Sequence, residues 1–67
     1  MKTIWDAKKE FLVVLDKVIG FSYNHNKVSG EFDVICLVGG LGPVHVDSRK
    51  TEQEAKLRMK ELADEEA

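Results

Sequence analysis

Residues 11–19 read FLVVLDKVI, and this run determines whether the chain begins with a helix or with strands. A helix over residues 4–19 would be capped by Thr3 with Asp6 at its start and by Gly20 at its end. The residues on one face of this helix would be apolar, namely Ile4, Ala7, Phe11, Leu15 and Val18. The helical interpretation therefore has both a buried face and end signals.

The same run also fits two strands. Residues 11–15 would form a buried β-run, residues 16–17 a turn, and Val18 the start of the next strand. Paired β-branched residues, Val13 with Val14 and Val18 with Ile19, favour this interpretation. The apolar pattern alone leaves both interpretations open.

Farther along the chain, alternating side chains predict a meander of strands. Residues 19–23 and 31–34 alternate, and the second run continues with one apolar face. That face consists of Phe32, Val34, Cys36 and Val38. Turn-forming residues at 24–30 predict a loop between the two strands, and the glycines at 39–43 predict a break before a short third strand at 44–46.

The C-terminal segment carries the signature of a helix. Residues 51–54 read TEQE, a capping box in which the Thr51 hydroxyl accepts a hydrogen bond from the Glu54 amide. Apolar residues follow at helical spacing, namely Ala55, Met59, Leu62 and Ala63. A helix beginning at this box is therefore expected.

Residues 11–19 resemble an F-L-V-N-L-D-N-V-I phrase of small bacterial and phage proteins. In those proteins a meander of strands is followed by a helix that starts T-E-x-E-A, as residues 51–55 do here. Val14 stands where the phrase has Asn. The resemblance implies strands at residues 11–19 and implies no activity.

The expected fold is therefore α+β, in a single small domain over residues 1–67. An antiparallel meander of three to four strands carries the C-terminal helix on one face. The alternative is an α-β-β-β-α arrangement in which residues 4–19 are helical.

Composition restricts the class of protein. The chain has 67 residues with 43% apolar, 33% charged and a net charge of −2, which excludes a multidomain enzyme and a disordered tail. Small domains usually gain stability from disulfides, a metal or oligomerisation. One cysteine, Cys36, forms no internal disulfide, and the spacing of Cys and His predicts no metal site and no cofactor. A homodimer is therefore expected.

The same features predict a cytoplasmic protein, since the N-terminus has no signal-peptide pattern and no apolar run is long enough to span a bilayer. Nucleic-acid binding is the least favoured partner class, because the chain is acidic and lacks a basic stripe.

Two segments are candidate sites for an anionic ligand. The glycines Gly39, Gly40 and Gly42 could form a backbone nest, although they lead into Pro43 and a strand, which is typical of a hairpin turn. The second candidate precedes the helix and consists of Ser48, Arg49, Lys50 and Thr51. Its simpler interpretation is a solvated loop with a good helix cap.

Other residues point to contact surfaces. Ile35 and Leu37 make the end of their strand apolar on both faces, so that face is covered either by the chain itself or by a partner. Leu57 lies opposite the helical stripe, and Trp5 is either core or an interface anchor. The isolated Cys36, His25 and His45 form no catalytic pattern, so no enzyme is expected.

The function expected from these features is a non-enzymatic protein-interaction module. It is expected to be homodimeric, and a phage-type inhibitor or adaptor of a larger protein is one form of it. The alternative is a sponge for a phosphorylated small ligand at one of the two anion sites.

Overall fold

The computed structural model describes residues 2–66 of the chain. Its elements in order are β1 (Thr3–Trp5), β2 (Leu12–Val14), a 3₁₀ turn (Leu15–Lys17), β3 (Val18–His25), β4 (Phe32–Val38), β5 (Gly42–Arg49) and α1 (Glu52–Glu66). Strands β1 and β2 form an antiparallel pair, and β3, β4 and β5 form an antiparallel meander with β4 in the centre. The helix packs on the meander. The α+β prediction is confirmed.

The alternative with residues 4–19 helical is wrong. Strands β1 and β2 pair in this segment, with Ile4 opposite Val13. Val13 is buried and its neighbour Leu12 is exposed, which is the alternation of a strand that covers a core with one face only. The turn predicted at residues 16–17 lies within the 3₁₀ turn, and β3 begins at Val18 as predicted.

The core lies between the meander, the hairpin and the helix. It is formed by Val13, Leu15, Val18, Val34, Cys36, Val44, Val46, Ala55 and Leu62. The predicted inner face of β4 is confirmed, because Val34 and Cys36 are fully buried while Phe32 and Val38 pack against the cluster. On the helix, Ala55 and Leu62 are buried, but Ala63 is exposed. One step past Leu62 turns the side chain by about 100° around the helix axis, away from the core.

Strand β5 extends beyond the predicted residues 44–46 on both sides, and it contains a bulge. Val34 lies opposite Asp47, whereas the next residue, Ile35, lies opposite His45. The extra residue, Val46, is buried. As a result Asp47 reaches the helix side of the sheet, where its Oδ2 lies 3.3 Å from Nε of Arg58.

The first turn of the helix is anchored twice. The Glu54 amide donates to Oγ1 of Thr51 at 3.1 Å, as the capping box predicts. The Tyr23 hydroxyl donates to the Glu52 carboxylate, and Lys56 lies 3.3 Å from the same carboxylate. The bond from Tyr23 and the nearby Lys56 lower the pKa of Glu52, while the same bond and desolvation raise the pKa of Tyr23. The helix in the described residues is too short and too polar to cross a membrane.

Candidate functional site

Large apolar side chains are exposed at the end of the meander where β4 turns into β5. We call this surface the apolar end, and it consists of Phe11, Leu12, Ile19, Leu37, Leu41 and Pro43. Ile19 is 80% exposed, Leu41 66% and Leu37 36%. Surface leucines scattered singly are ordinary, but a contiguous group is typical of an interaction site.

The β4–β5 turn fixes the position of Leu41 at the tip of this end. Gly40 and Gly42 have φ angles of 82° and 102°, values that L side chains rarely adopt. The Leu41 amide donates to the Val38 carbonyl at 3.1 Å, and the Gly39 amide donates to the Lys17 carbonyl at 2.9 Å. The three candidate glycines therefore form a tight hairpin turn that holds an apolar side chain in solvent.

Two hollows flank Leu41. The larger, of about 380 Å³, lies between the β1–β2 loop and the start of β5, and Ala7, Phe11, Pro43 and His45 are among its lining residues. The smaller, of about 190 Å³, lies along β2, with Leu12 and Val38 in its wall. Leu41 and Phe11 line both hollows, and we call the more exposed Leu41 side chain, at the tip of the turn, the ridge.

A buried carboxylate shapes the loop that forms one wall of the larger hollow. Asp6 accepts hydrogen bonds from the backbone amides of Glu10 at 2.7 Å, Phe11 at 3.0 Å and Lys8 at 3.3 Å. Burial by itself raises the pKa of Asp6, but the bonds from Phe11, Glu10 and Lys8 together outweigh it, so the pKa falls below 3.8. The Ala7 amide then ties the loop to the edge of β5 by donating to the His45 carbonyl at 2.9 Å.

The second candidate anion site lies at the other end of the sheet. Gly42 and Arg49 are the two ends of β5, seven steps and roughly 23 Å apart at about 3.3 Å per residue. Both Nε and Nη2 of Arg49 donate to Asp47, at 3.1 and 2.9 Å. Ser48 donates to Asp33 at 3.0 Å, and Thr51 caps the helix, while Lys50 is exposed. The structure therefore does not unite the two candidate anion sites.

The four predicted interface residues lie in different places. Leu37 belongs to the apolar end, and Ile35, half-buried, is on the same strand face. Trp5 is 52% exposed on the outer face of the hairpin, opposite Leu12. Leu57 is 59% exposed on α1 and stands apart from the other three.

A polar cluster on the open face of the sheet joins Asp33, His45 and Ser48. Nε2 of His45 lies 2.9 Å from Oγ of Ser48, 3.4 Å from Oδ1 of Asp33 and 2.7 Å from the Asp47 carbonyl oxygen. A carbonyl only accepts, so Nε2 carries a hydrogen and is not a base for the serine. The serine hydroxyl donates to Asp33 instead. In a catalytic triad the serine donates to the histidine, and the histidine donates to the carboxylate. Here the serine donates directly to the carboxylate, so the donors follow a different order.

The sequence predicts neither this cluster nor, apart from Leu37, the exposed contact residues of the apolar end. The β5 bulge brings Ser48 opposite Asp33, and strand alternation gives no signal for a bulge. The buried β-run predicted at residues 11–15 is wrong at Phe11 and Leu12, because both side chains are exposed. A leucine between glycines in a turn was a usable signal for Leu41, because turns favour polar residues.

No protein-family model, curated protein or solved structure matches this chain. Within residues 2–66, no cluster of three or more His, Cys, Asp or Glu side chains is arranged to hold a metal ion.

Proposed function

We propose that this protein is a non-enzymatic interaction module that associates through its apolar end, first of all with a second copy of itself. The observation that carries the proposal is the exposure of six apolar side chains at one end of a very small domain. Burial of apolar surface contributes about 25 cal/mol per Å², so a surface of this kind favours association.

The small core supports the same proposal. Nine buried apolar residues form the core, and Cys36 is the one cysteine of the chain. A domain of this size has a thin stability margin, which oligomerisation increases. A standard interface covers about 800 Å² per partner, roughly one-sixth of the 4643 Å² surface of this chain.

The absence of enzymatic activity is part of the proposal. It is supported by the Asp33, His45 and Ser48 cluster, in which the histidine nitrogen facing the serine is already a donor. These three side chains join β4 to β5 across the bulge, and that structural role accounts for their contacts.

The biological role that fits such a module is occupation of a surface on a larger protein, as an inhibitor or adaptor of the phage type. A cytoplasmic location fits as well, because a single buried thiol is typical of a reducing compartment.

A dilution series followed by amide NMR tests this function. We expect concentration-dependent shifts at Phe11, Leu12 and residues 39–42, since these amides lie at the apolar end. The loop at residues 26–31, at the opposite end of β3 and β4, is the internal control and is expected to stay constant. Shifts confined to that loop, or no shifts in a protein whose mass in solution is that of a single chain, would contradict the proposal.

A further inference from the structure

Leu41 and the larger hollow beside it are complementary features on one surface. The leucine is 66% exposed at the tip of a turn that glycines fix in place. The adjoining hollow, about 380 Å³, has apolar walls at Phe11, Pro43 and Val44. A ridge beside a hollow is the arrangement that a two-fold axis makes self-complementary, because each copy then offers both halves of the contact.

We propose that the chain forms a two-fold dimer in which Leu41 of each copy inserts into the larger hollow of the other. This inference rests on the proposed function and names its partner and its contact. Two equivalent insertions bury both exposed leucines and cover Phe11 and Pro43 on each side. Direct stacking of the two leucines on the axis would leave both hollows open to water.

The charges at the rim of the hollow fit this occupant. The hollow is bordered by Lys8 and Glu10, one base and one acid, both exposed. A two-fold axis that passes between the two rims at this loop would place Lys8 of one copy beside Glu10 of the other. A rim of one sign would repel its own copy, whereas this rim is complementary to itself.

The first test removes the ridge. Leu41→Ala leaves the turn glycines in place and removes only an exposed side chain. Two buried leucines are lost per dimer, so we expect the dissociation constant to rise about a hundredfold. Leu57→Ala is the matched control, because Leu57 is a comparably exposed leucine on the helix, and it is expected to leave the constant unchanged.

The second test blocks the hollow. Ala7→Arg fills it from the loop wall and keeps the backbone bond from Ala7 to His45. Pro43→Arg fills it from the β5 wall and serves as an independent blocking variant. Each is expected to weaken the homodimer as strongly as Leu41→Ala does.

Mixing the variants distinguishes reciprocal insertion from other contacts. A Leu41→Ala chain keeps its hollow and an Ala7→Arg chain keeps its ridge, so their heterodimer retains one complete contact. We expect the mixture to associate about tenfold more tightly than either variant alone. Affinity of the mixture between those of the two homodimers would overturn the inserted geometry. A wild-type dimer insensitive to Leu41→Ala would overturn this inference alone, and a wild-type monomer would overturn the proposed function as well.

Discussion

Asp6 organises the loop between β1 and β2 through its carboxylate. In a helix its carboxylate would cap the first turn, together with Thr3. In the structure the same carboxylate satisfies the amides of Lys8, Glu10 and Phe11 in the loop between β1 and β2. The same side chain can therefore serve either arrangement, and in the structure its three bonds stabilise the loop that joins β1 to β2.

Asp6→Asn is expected to remove part of the acid sensitivity of the fold. The folded pKa of Asp6 lies below 3.8, so the unfolded chain takes up the proton first. The stabilisation that the Asp6 carboxylate contributes is complete above 3.8, the ordinary pKa of an aspartate. It is lost as the pH falls through the lower pKa of the folded state. Urea midpoints measured from neutral pH to below 3.8 should therefore fall more steeply for the wild type than for the variant.

Glu52 also has a lowered pKa, but it is present in both proteins and its contribution cancels in the comparison. Superimposable curves for the wild type and Asp6→Asn would show that the loop carboxylate does not act as described.

Leu15→Ala is expected to remove most of the stability of the domain. Leu15 is fully buried between the hairpin and the sheet. A buried leucine truncated to alanine costs about 2–5 kcal/mol, against a total of roughly 3–10 kcal/mol for a chain of this length. Urea denaturation at one fixed protein concentration measures the difference. The exposed Leu57→Ala should change the free energy of unfolding by less than about 0.5 kcal/mol, and equal effects of the two variants would contradict the assigned core.

Among the elements, the sequence predicts most accurately those whose signals are local. The box at residues 51–54 places the start of α1, and alternation in β4 identifies its buried face at Val34 and Cys36. Strand β1 has only three residues, Thr3–Trp5, too few for a period to be detected. The bulge in β5 depends on pairing with β4, which is not encoded in the pattern of either strand alone.

The helix cap provides a test at this scale. Thr51→Ala is expected to lower the free energy of unfolding by about 1 kcal/mol, because the Glu54 amide loses its acceptor. Thr51→Ser keeps the hydroxyl and should retain most of that stability. Thermal melts of both variants, compared with the wild type, measure the effect. Equal losses for alanine and serine would mean that the hydroxyl bond contributes nothing and that the methyl group of Thr51 matters instead.

The two ends of the meander differ in the apolar side chains that they expose: the β3–β4 loop exposes Val28, whereas the opposite end exposes the six residues of the apolar end. At the end of β5 next to the helix, hydrogen bonds within the chain engage Ser48, Arg49 and Thr51. At the apolar end, Leu41 and Ile19 are exposed to solvent. The sequence alone predicts self-association, because a chain this small with a single cysteine cannot gain stability from an internal disulfide. Of the apolar end itself, the sequence predicts only Leu37 as a contact residue. Its remaining members come together through the turn of residues 39–42 and through the hairpin, which are tertiary features.

The mass of the protein in solution, measured by native mass spectrometry as purified, tests the central claim most directly. We predict a species of twice the 7.6 kDa chain mass, with no added ligand. A dimer carrying a discrete extra mass would favour the alternative of a bound phosphorylated ligand. A species of 7.6 kDa at every concentration tested would contradict self-association through the apolar end.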